Sequence, residues 1–301
     1  MFGELKLGHI IDEGKINQNS YLIDAEFFKL EKTLALYVIQ DGENNMMIDT
    51  GEALTARKIV KKLRAFNLYP LGKILFSHAH WDHIQAFHKI KRLIKETEIE
   101  ILAHENAVDI LKNPEEMNDF FGYCVDPIDV DIELKEGDTI QLGDIELEIY
   151  EFFGHTQDSI AIYNKNTRNI FVGDAIIDKI DYDTYVPVLF GPHFDEDSLL
   201  KSYEKLRNMK EKIDSIAFAH FGVYNGEDID KILDNLEDMY FQAKNNLVQW
   251  YNEGLSIQEI TKKYHDEIIP NSEIFSEDKL MGLQWNISQN IDTLKAAGFI
   301  D

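Results

Sequence analysis

The feature that most constrains this chain is the run FSHAHWDH at residues 76–83, at the end of the apolar segment KILF. Residues two apart in an extended segment point the same way, so His78 and His80 can converge on one metal ion. Asp82 and His83 follow where the chain turns into a helix, so they point elsewhere and can serve a second ion nearby. The helix dipole at that turn also favours the carboxylate. Four potential ligands at this spacing predict a metal site rather than a polar surface loop.

Three further donors follow apolar segments that are typical of strands. His155 lies in FFGHT after IELEIYEF, Asp174 ends NIFVGD, and His220 ends SIAFAH. A single residue of this kind is weak support, because isolated histidines usually have a structural role. Their shared position at strand ends predicts that the fold brings them to one edge, beside the histidine-rich loop.

Strand and helix patterns are interleaved along the first 225 residues. Alternating and buried-strand patterns such as NSYLIDA and TLALYVIQ are separated by amphipathic segments such as LTARKIVKKLRAF and DHIQAFHKIKRLIKE. VDIELKEGDTIQLGDIELEIYEF predicts a hairpin or meander, and SIAIYNKNTRNIFVGD predicts a second hairpin. We therefore expect an α/β fold in which two packed sheets carry helices on their outer faces, a four-layer αββα sandwich.

After residue 225 the pattern is helical throughout. Apolar residues from Ile229 to Trp250 follow a helical period, Ser256 and Glu259 form the pair of a capping box, and a last helix runs to Gly298. We expect an αββα domain over residues 1–225 and a C-terminal helical extension over 226–301. The extension can pack on the sandwich, form a lid or form a dimer surface, and the sequence leaves these open.

The composition limits the classes of binding partner and the cellular compartments that we expect for this chain. The net charge of −25 opposes broad binding to nucleic acid, and the basic runs ARKIVKKLR and KIKRLIK have the spacing of solvated helix faces. The acidic N-terminus lacks the order of a secretory signal, and no window approaches the roughly 18 apolar residues of a membrane span. The single cysteine, Cys124, fits a reducing compartment, and a nucleophilic role for it is the less favoured interpretation. We expect a cytoplasmic protein without nucleic-acid or membrane partners, with a homodimer possible.

The motifs MIDTG, HAHWDH, GHT, VGD and AHFG occur in this order, and together they resemble the metallo-β-lactamase superfamily over roughly residues 17–225. The resemblance implies that His78, His80 and His155 hold a first metal, and that Asp82, His83 and His220 hold a second. It implies that Asp174 bridges both metals, and that Asp49 supports the loop without being a ligand. An aspartate at the bridging position favours glyoxalase II-like hydrolases over antibiotic hydrolases. His80 and the absence of a flavodoxin-like domain argue against flavodiiron oxidoreductases.

The resemblance implies a dinuclear hydrolase in which a metal-bound hydroxide attacks a small ester, thioester or lactone, with Asp82 and Asp174 as the catalytic carboxylates. Two divalent ions are expected, with zinc favoured and iron or manganese as alternatives. The residual positive charge of such a centre suits a small anionic substrate. A small-molecule phosphodiesterase, an iron-dependent dioxygenase similar to sulfur dioxygenases, and a regulatory metalloprotein of low turnover remain as alternatives.

The sequence constrains the acid that protonates the leaving group, and the identity of the substrate, less than it constrains the metal site. Lactone-cleaving relatives have a tyrosine where this chain has Ile177, so Tyr182, Tyr185 and His193 are the candidates for the acid. Glutathione is doubtful as the thiol, because the C-terminal region is acidic and offers mainly Lys262 and Lys263. His88, His104 and His265 match no ligand position.

Overall fold

The structure is a computed structural model that describes residues 8–180 and 183–301. The strands in these residues are β1 (Gly14–Lys15), β2 (Ser20–Asp24), β3 (Ala35–Asp41), β4 (Asn44–Ile48), β5 (Lys73–Leu75), β6 (Glu100–His104), β7 (Ile132–Leu134), β8 (Thr139–Leu142), β9 (Ile145–Glu151), β10 (Ile160–Asn164), β11 (Asn169–Phe171), β12 (Ser215–Phe218) and β13 (Gly222–Asn225). The α-helices are α1 (Ala56–Ala65), α2 (Trp81–Ile84), α3 (Phe87–Leu93), α4 (Ala107–Lys112), α5 (Glu115–Phe121), α6 (Glu196–Asn208), α7 (Glu227–Asn252), α8 (Ile257–Ile268) and α9 (Leu280–Ala296).

The strands form two sheets. The first has the order β1-β2-β3-β4-β5-β6-β7, antiparallel as far as β4 and parallel from β4 to β7. The second has the order β13-β12-β11-β10-β9-β8, and only its β11–β12 pair is parallel. Parallel and alternate antiparallel strands run in one direction, so β9, β11 and β12 all end at the same edge of the second sheet. This edge carries the segments that follow those three strands.

Three apolar clusters separate four layers. The middle cluster joins the two sheets, with Leu75 and Leu102 from the first sheet against Ile149 and Phe171 from the second. A second cluster packs α1, α3 and α4 on the outer face of the first sheet. The third packs α6 to α9 on the outer face of the second sheet. The order is helices, sheet, sheet, helices, which confirms the predicted αββα sandwich with C-terminal helices.

The C-terminal helices share the core of the second sheet. Trp250 and Leu236 of α7 and Ile287 of α9 belong to the same buried cluster as Ile216 of β12. The predicted capping box of α8 is confirmed, because Ser256 Oγ accepts from the backbone N–H of Glu259 and the Glu259 carboxylate accepts from that of Ser256. The division into residues 1–225 and 226–301 stays a prediction.

Two elements differ from the sequence prediction. The segment DHIQAFHKIKRLIKE, predicted as one helix, forms α2 and α3 with a break between them. The carbonyl of His83 accepts from the backbone N–H of Thr50 at 2.6 Å, and the N–H of Ala86 donates to Gly51 O. These contacts replace hydrogen bonds that a continuous helix would form, so the loop after β4 determines where the helix is interrupted. The predicted meander is a hairpin only over β8 and β9, since β7 pairs with β6 in the first sheet.

A helix of the length and apolarity needed to cross a membrane is not found in the described part of the chain.

Candidate metal centre

The histidine-rich loop begins where β5 ends and is supported by the buried carboxylate of Asp49. One oxygen of Asp49 accepts from the backbone N–H of Ser77 at 2.8 Å, and the other accepts from Ser77 Oγ at 2.7 Å. The second oxygen also accepts from His83 Nδ1 at 2.9 Å. Asp49 therefore ties the two ends of the loop together, and its position fits the supporting role that the sequence analysis gave it.

The seven candidate ligands lie in two adjacent groups. Within each group the potential ligand atoms are all within 4.8 Å of one another. The first group is His78, His80 and His155, and the second is Asp82, His83, Asp174 and His220. The structure thus brings together all seven residues, from the loop after β5 and from the segments that follow β9, β11 and β12. Apart from Asp174, which falls in the second group, the division matches the one that the family resemblance implies, and the role of these residues as ligands stays a prediction.

Asp174 lies between the two groups. Its Oδ1 is 3.4 Å from His83 Nε2, and its Oδ2 is 3.4 Å from His220 Nε2 and 3.8 Å from His155 Nε2. It therefore faces nitrogens of both groups, as a bridging carboxylate must. Its approach depends on Gly173, which has a φ of +54° and packs on Ser77 so closely that a Cβ would lie 2.9 Å from Ser77 Oγ. The glycine of the VGD motif therefore lets Asp174 reach the loop.

Hydrogen bonds to Nδ1 determine which nitrogen three of the histidines present to the centre. Nδ1 of His83 bonds Asp49, Nδ1 of His155 bonds Val188 O at 2.9 Å, and Nδ1 of His220 bonds Thr33 O at 2.6 Å. Each leaves Nε2 for a metal, because a carboxylate or carbonyl acceptor places the proton on Nδ1.

In the first group His78 is turned in the same manner, but His80 presents its other ring nitrogen, Nδ1, to the centre. Nδ1 of His78 bonds Ser77 Oγ at 3.1 Å, while His80 directs its own Nδ1 to His155 Nε2 at 2.9 Å. Two nitrogens bound to one tetrahedral ion at about 2.0–2.1 Å would lie about 3.3 Å apart, so this contact is close to the spacing of shared ligands.

The donor atoms fit cations. His78 Nε2, His83 Nε2 and Asp174 Oδ1 are buried and have no hydrogen-bond partner in the described chain. A buried polar atom without a partner destabilises the fold by about 1–3 kcal/mol, and a bound metal removes that penalty. Imidazole and carboxylate ligands suit zinc, iron and manganese. These observations support a metal-binding site for two divalent ions.

Burial and charge set the protonation of the centre before metal binds. Burial, reinforced by the neighbouring imidazoles, holds the pKa of His78 and of His80 well below its usual value, so both are neutral as a ligand must be. Burial also opposes the charged form of His220, but Asp174 and Asp82 outweigh it and raise the pKa of His220 to about 10. Burial would raise the pKa of Asp174, but His220 and His83 hold it well below its ordinary range. Burial likewise opposes the charged form of His83, but Asp174, Asp82 and Asp49 outweigh it and raise the pKa of His83 well above the usual value. Without a cation the carboxylates of the second group therefore keep His83 and His220 protonated, and a bound cation would displace those protons.

A cleft opens onto the centre. It encloses about 920 Å³ of space, part of it open to solvent, and its floor includes His80, Asp82, His155, Asp174 and His220. The described remainder of its lining is Phe27, Phe28, Leu30, Thr33, Trp81, Phe121, Ile177, Ile180, Val186, Phe190, Ile274, Phe275, Gly282, Trp285 and Asn286. The cleft combines apolar walls with a few convergent polar groups, as small-molecule sites do.

Most of this lining was missed by the sequence analysis. Phe121 on α5, which packs on the ring of His80 at 4.9 Å, and Trp285 on α9 are apolar residues of helices, and their spacing indicates only a core position. Asp158 was also missed. Its buried carboxylate accepts from the backbone N–H of Ala79 at 2.8 Å, between two candidate ligands. An acidic residue three positions after His155 was the signal that could have found it.

The two described candidates for the leaving-group acid, Tyr185 and His193, do not line this cleft. Tyr185 is buried and borders a different depression with Asp178, and His193 lies 3.7 Å from Glu116. Tyr182 is outside the described residues. Lys262 and Lys263 pair with Asp266 and Glu267 along the surface of α8. Cys124 is an exposed free thiol, and it is not among the residues that line the cleft.

Comparison with known proteins identifies the family. A family model described as the metallo-beta-lactamase superfamily matches residues 35–220, more than half of the chain. The chain therefore belongs to this superfamily, as its motifs predict.

Two curated relatives illustrate the similarity. An acyl-coenzyme A thioesterase MBLAC2 of Gallus gallus is 21% identical over 236 residues, which cover 71% of this chain and 82% of the relative. A hydroxyacylglutathione hydrolase of Methylobacterium sp. (strain 4-46) is 27% identical over 108 residues, only 36% of this chain and 35% of the relative.

Solved structures share the fold at low identity. A metallo-beta-lactamase family protein from Thermus thermophilus has a TM-score of 0.63 and 17% identity, covering 93% of this chain and 94% of the other. A class B3 di-zinc metallo-beta-lactamase from an Alaskan soil metagenome has a TM-score of 0.56 and 21% identity, covering 76% and 92% of the two chains. A protein crystallised in a di-iron-bound form has a TM-score of 0.53 and 18% identity, covering 67% and 94%.

Proposed function

We propose that this protein is a metal-dependent hydrolase that cleaves a small thioester with two divalent ions. The observation that carries the proposal is the set of seven histidines and aspartates in two adjacent groups, six of them buried and five of them at the floor of one cleft. Esters and lactones are the related substrates that the same chemistry would accept.

The chemistry divides between the ions and the chain. Two divalent ions bound here would lower the pKa of a water molecule and polarise the substrate carbonyl. Asp174, between the groups, would hold an ion of each group through its two carboxylate oxygens. Asp82 is 7% exposed and lines the cleft, so its carboxylate can orient a water or accept its proton. The apolar walls exclude bulk water and so strengthen these electrostatic interactions.

The lining of the cleft favours a thioester over an alkyl ester. Apart from the candidate ligands, the described lining residues include no group that titrates and could protonate a leaving alkoxide. A thiol has a pKa of about 8.5, whereas water has one of about 15.7, so a thiolate leaves without prior protonation far more readily than an alkoxide. The activities named for the two curated relatives, an acyl-coenzyme A thioesterase and a hydroxyacylglutathione hydrolase, are consistent with thioester cleavage.

Other assignments have less support. A phosphodiester would meet no lysine or arginine among the described lining residues. We propose zinc as the metal. Iron is the alternative, because one similar solved structure is in a di-iron-bound form, and an iron-dependent dioxygenase would require iron. An anionic group on the substrate, a cytoplasmic location and a homodimer stay predictions.

The test uses protein reconstituted separately with zinc, iron and manganese. We expect the protein to hydrolyse an acetyl thioester of N-acetylcysteamine, and the thiol released measures this reaction. We expect no uptake of O2. Asp174→Ala and His80→Ala should each lower turnover at least a hundredfold and reduce the metal content. His88→Ala is the matched control, because its ring bonds Pro127 O away from the cleft. Either ligand variant with full metal content and full rate would refute the assignment, as would O2 uptake with a single iron.

A further inference from the structure

The cleft is unusually apolar for a site built around seven charged or polar ligands. Away from those ligands, the described lining has one hydroxyl side chain, Thr33, one amide side chain, Asn286, and the indole N–H groups of Trp81 and Trp285. The hydroxyl of Thr33 donates to Leu30 O at 2.6 Å, and Nδ2 of Asn286 donates to Gly282 O at 3.1 Å. Both side chains therefore satisfy backbone carbonyls, and the walls offer a bound molecule mainly hydrocarbon and aromatic surface.

Aromatic rings from five separate segments of the chain pack together along the wall. Trp81 stacks on Tyr123 with ring centroids 3.8 Å apart, and Trp285 meets the edge of Phe28 at 5.5 Å. Trp285 also lies nearly parallel to Phe190, at 6.2 Å and 25°. Because the packed rings hold one another in place, this wall is formed before a molecule binds.

The C-terminal extension supplies one side of this wall. Gly282, Trp285 and Asn286 recur at helical spacing on α9 and line the cleft together with Ile274 and Phe275. The same helix is anchored below the cleft, where Nδ2 of Asn290 donates to Leu189 O at 2.8 Å. The extension therefore lies against the metal centre within one chain and completes the cleft.

We propose that the cleft binds the apolar acyl chain of the substrate, with Trp285 and Phe28 as specificity-determining residues. This inference rests on the proposed thioester hydrolysis and names the part of the substrate that the protein selects. The thiol parts of natural thioesters are polar and charged, and they find no cation in the described lining. The acyl group is the part that an aromatic wall can take up, so the carbonyl lies over the ligands while the thiol points to solvent.

The expected preference is for aliphatic acyl groups of medium length, or aromatic ones, over acetyl. Burial of one methylene contributes a factor of up to about fourfold in kcat/KM, because about 0.8 kcal/mol is gained per buried CH2. The preference should grow with chain length and then level off when the chain reaches the mouth, where Phe28 is 38% exposed.

The experiment measures kcat/KM for N-acetylcysteamine thioesters from acetyl to decanoyl with metal-loaded protein. We expect a rise of two- to fourfold per methylene up to about octanoyl. Trp285→Ala should lower kcat/KM for octanoyl by at least tenfold while changing the acetyl value by less than threefold. Phe28→Ala should also lower kcat/KM for octanoyl more than for acetyl. Because Phe28 is partly exposed, the fold should tolerate this truncation. Met281→Ala is the matched control, since Met281 lies on the same helix, is 85% exposed and does not line the cleft.

Calorimetric titration with decanoate and with acetate provides a readout without turnover. Tighter binding of decanoate, lost in Trp285→Ala, supports the acyl site even if no thioester is cleaved, in which case only the proposed function fails. Equal rates for all chain lengths, or equal losses for acetyl and octanoyl in Trp285→Ala, would overturn the inference and leave thioester hydrolysis standing.

Discussion

At the residue scale, two buried aspartates outside the ligand set differ in how their charge is stabilised. Asp49 is buried but accepts hydrogen bonds from Ser77 and His83, so its charge is compensated and it orients the loop. Asp178 is buried beside the depression that Tyr185 borders, and burial outweighs its backbone hydrogen bond and raises its pKa to about 6. The first should matter for metal binding and the second for stability.

Replacing Asp49 with Asn should weaken metal binding. The amide has one acceptor oxygen in place of two, so it cannot accept from the Ser77 N–H, Ser77 Oγ and His83 Nδ1 together. With that oxygen on the Ser77 N–H, His83 loses the partner that fixes its tautomer. Loss of such a partner typically lowers metal affinity about 10- to 100-fold. Competition with a chromophoric chelator measures this, with the exposed Asp109→Asn as control. Unchanged affinity for both ions would show that Asp49 does not orient the site.

Replacing Asp178 with Asn should stabilise the protein at neutral pH. Because the folded pKa is about 6 and the ordinary value is 3.8, the folded state binds more protons than the unfolded state between these values. Stability from this group therefore falls as pH rises from about 4 to 6, and the penalty above pH 6 is at most about 3 kcal/mol. Thermal unfolding at pH 7 and pH 4.5 should show a larger rise in Tm for the variant at pH 7 than at pH 4.5, where most of the penalty is absent. An equal shift at both pH values would contradict this explanation.

At the element scale, the segment 188–191 connects the C-terminal extension with the metal centre. Val188 O accepts from His155 Nδ1, and a Cβ on Gly191, which has a φ of +91°, would lie 2.9 Å from His80 Nε2. α9 holds this segment through Asn290, whose Nδ2 donates to the intervening Leu189 O. A helix far along the sequence thus positions two candidate ligands.

Asn290→Ala should therefore loosen metal binding as well as the fold. We expect about tenfold weaker binding of the first ion, together with a loss of about 1–3 kcal/mol for the buried carbonyl left without its donor. Metal titration and thermal unfolding measure the two effects. Thr293→Val on the same helix is the control, because its buried hydroxyl has no partner among the described residues. Reduced stability with unchanged metal affinity would assign Asn290 a purely structural role.

Several elements could be predicted from the sequence because their patterns are local. The loop HAHWDH, the strand ends that carry His155, Asp174 and His220, and the amphipathic α7 all follow from spacing and periodicity. The break between α2 and α3 could not be predicted, because it depends on Thr50 and Gly51 bonding across from another loop. The placement of Trp285 over the cleft is likewise a tertiary contact, which the period of α9 does not encode.

At the scale of the whole molecule, one apolar cluster extends from the second sheet through α6 to α9. The C-terminal helices therefore belong to the same packed unit as the strands that carry His155, Asp174 and His220. The chain as a whole carries a net charge of −25, to which the buried carboxylates of the centre contribute. Bound cations should accordingly stabilise the entire fold, not only the loop.

Removal of metal should lower the thermal stability of the whole chain. At a free metal concentration a hundredfold above Kd, each site stabilises the folded state by about 2.7 kcal/mol. For a chain of this size we expect chelation to lower Tm by about 5 °C or more while unfolding remains a single transition. Differential scanning calorimetry with and without chelator measures both quantities. A separate transition for the C-terminal helices would contradict the shared core.

The central claim is that seven side chains from four separate segments form a site for two metal ions. Elemental analysis of the purified protein, before and after reconstitution, tests it most directly. We predict two divalent transition-metal ions per chain in the wild type and a marked loss of both in Asp174→Ala. Less than one ion per chain after reconstitution with zinc, iron or manganese would contradict the account.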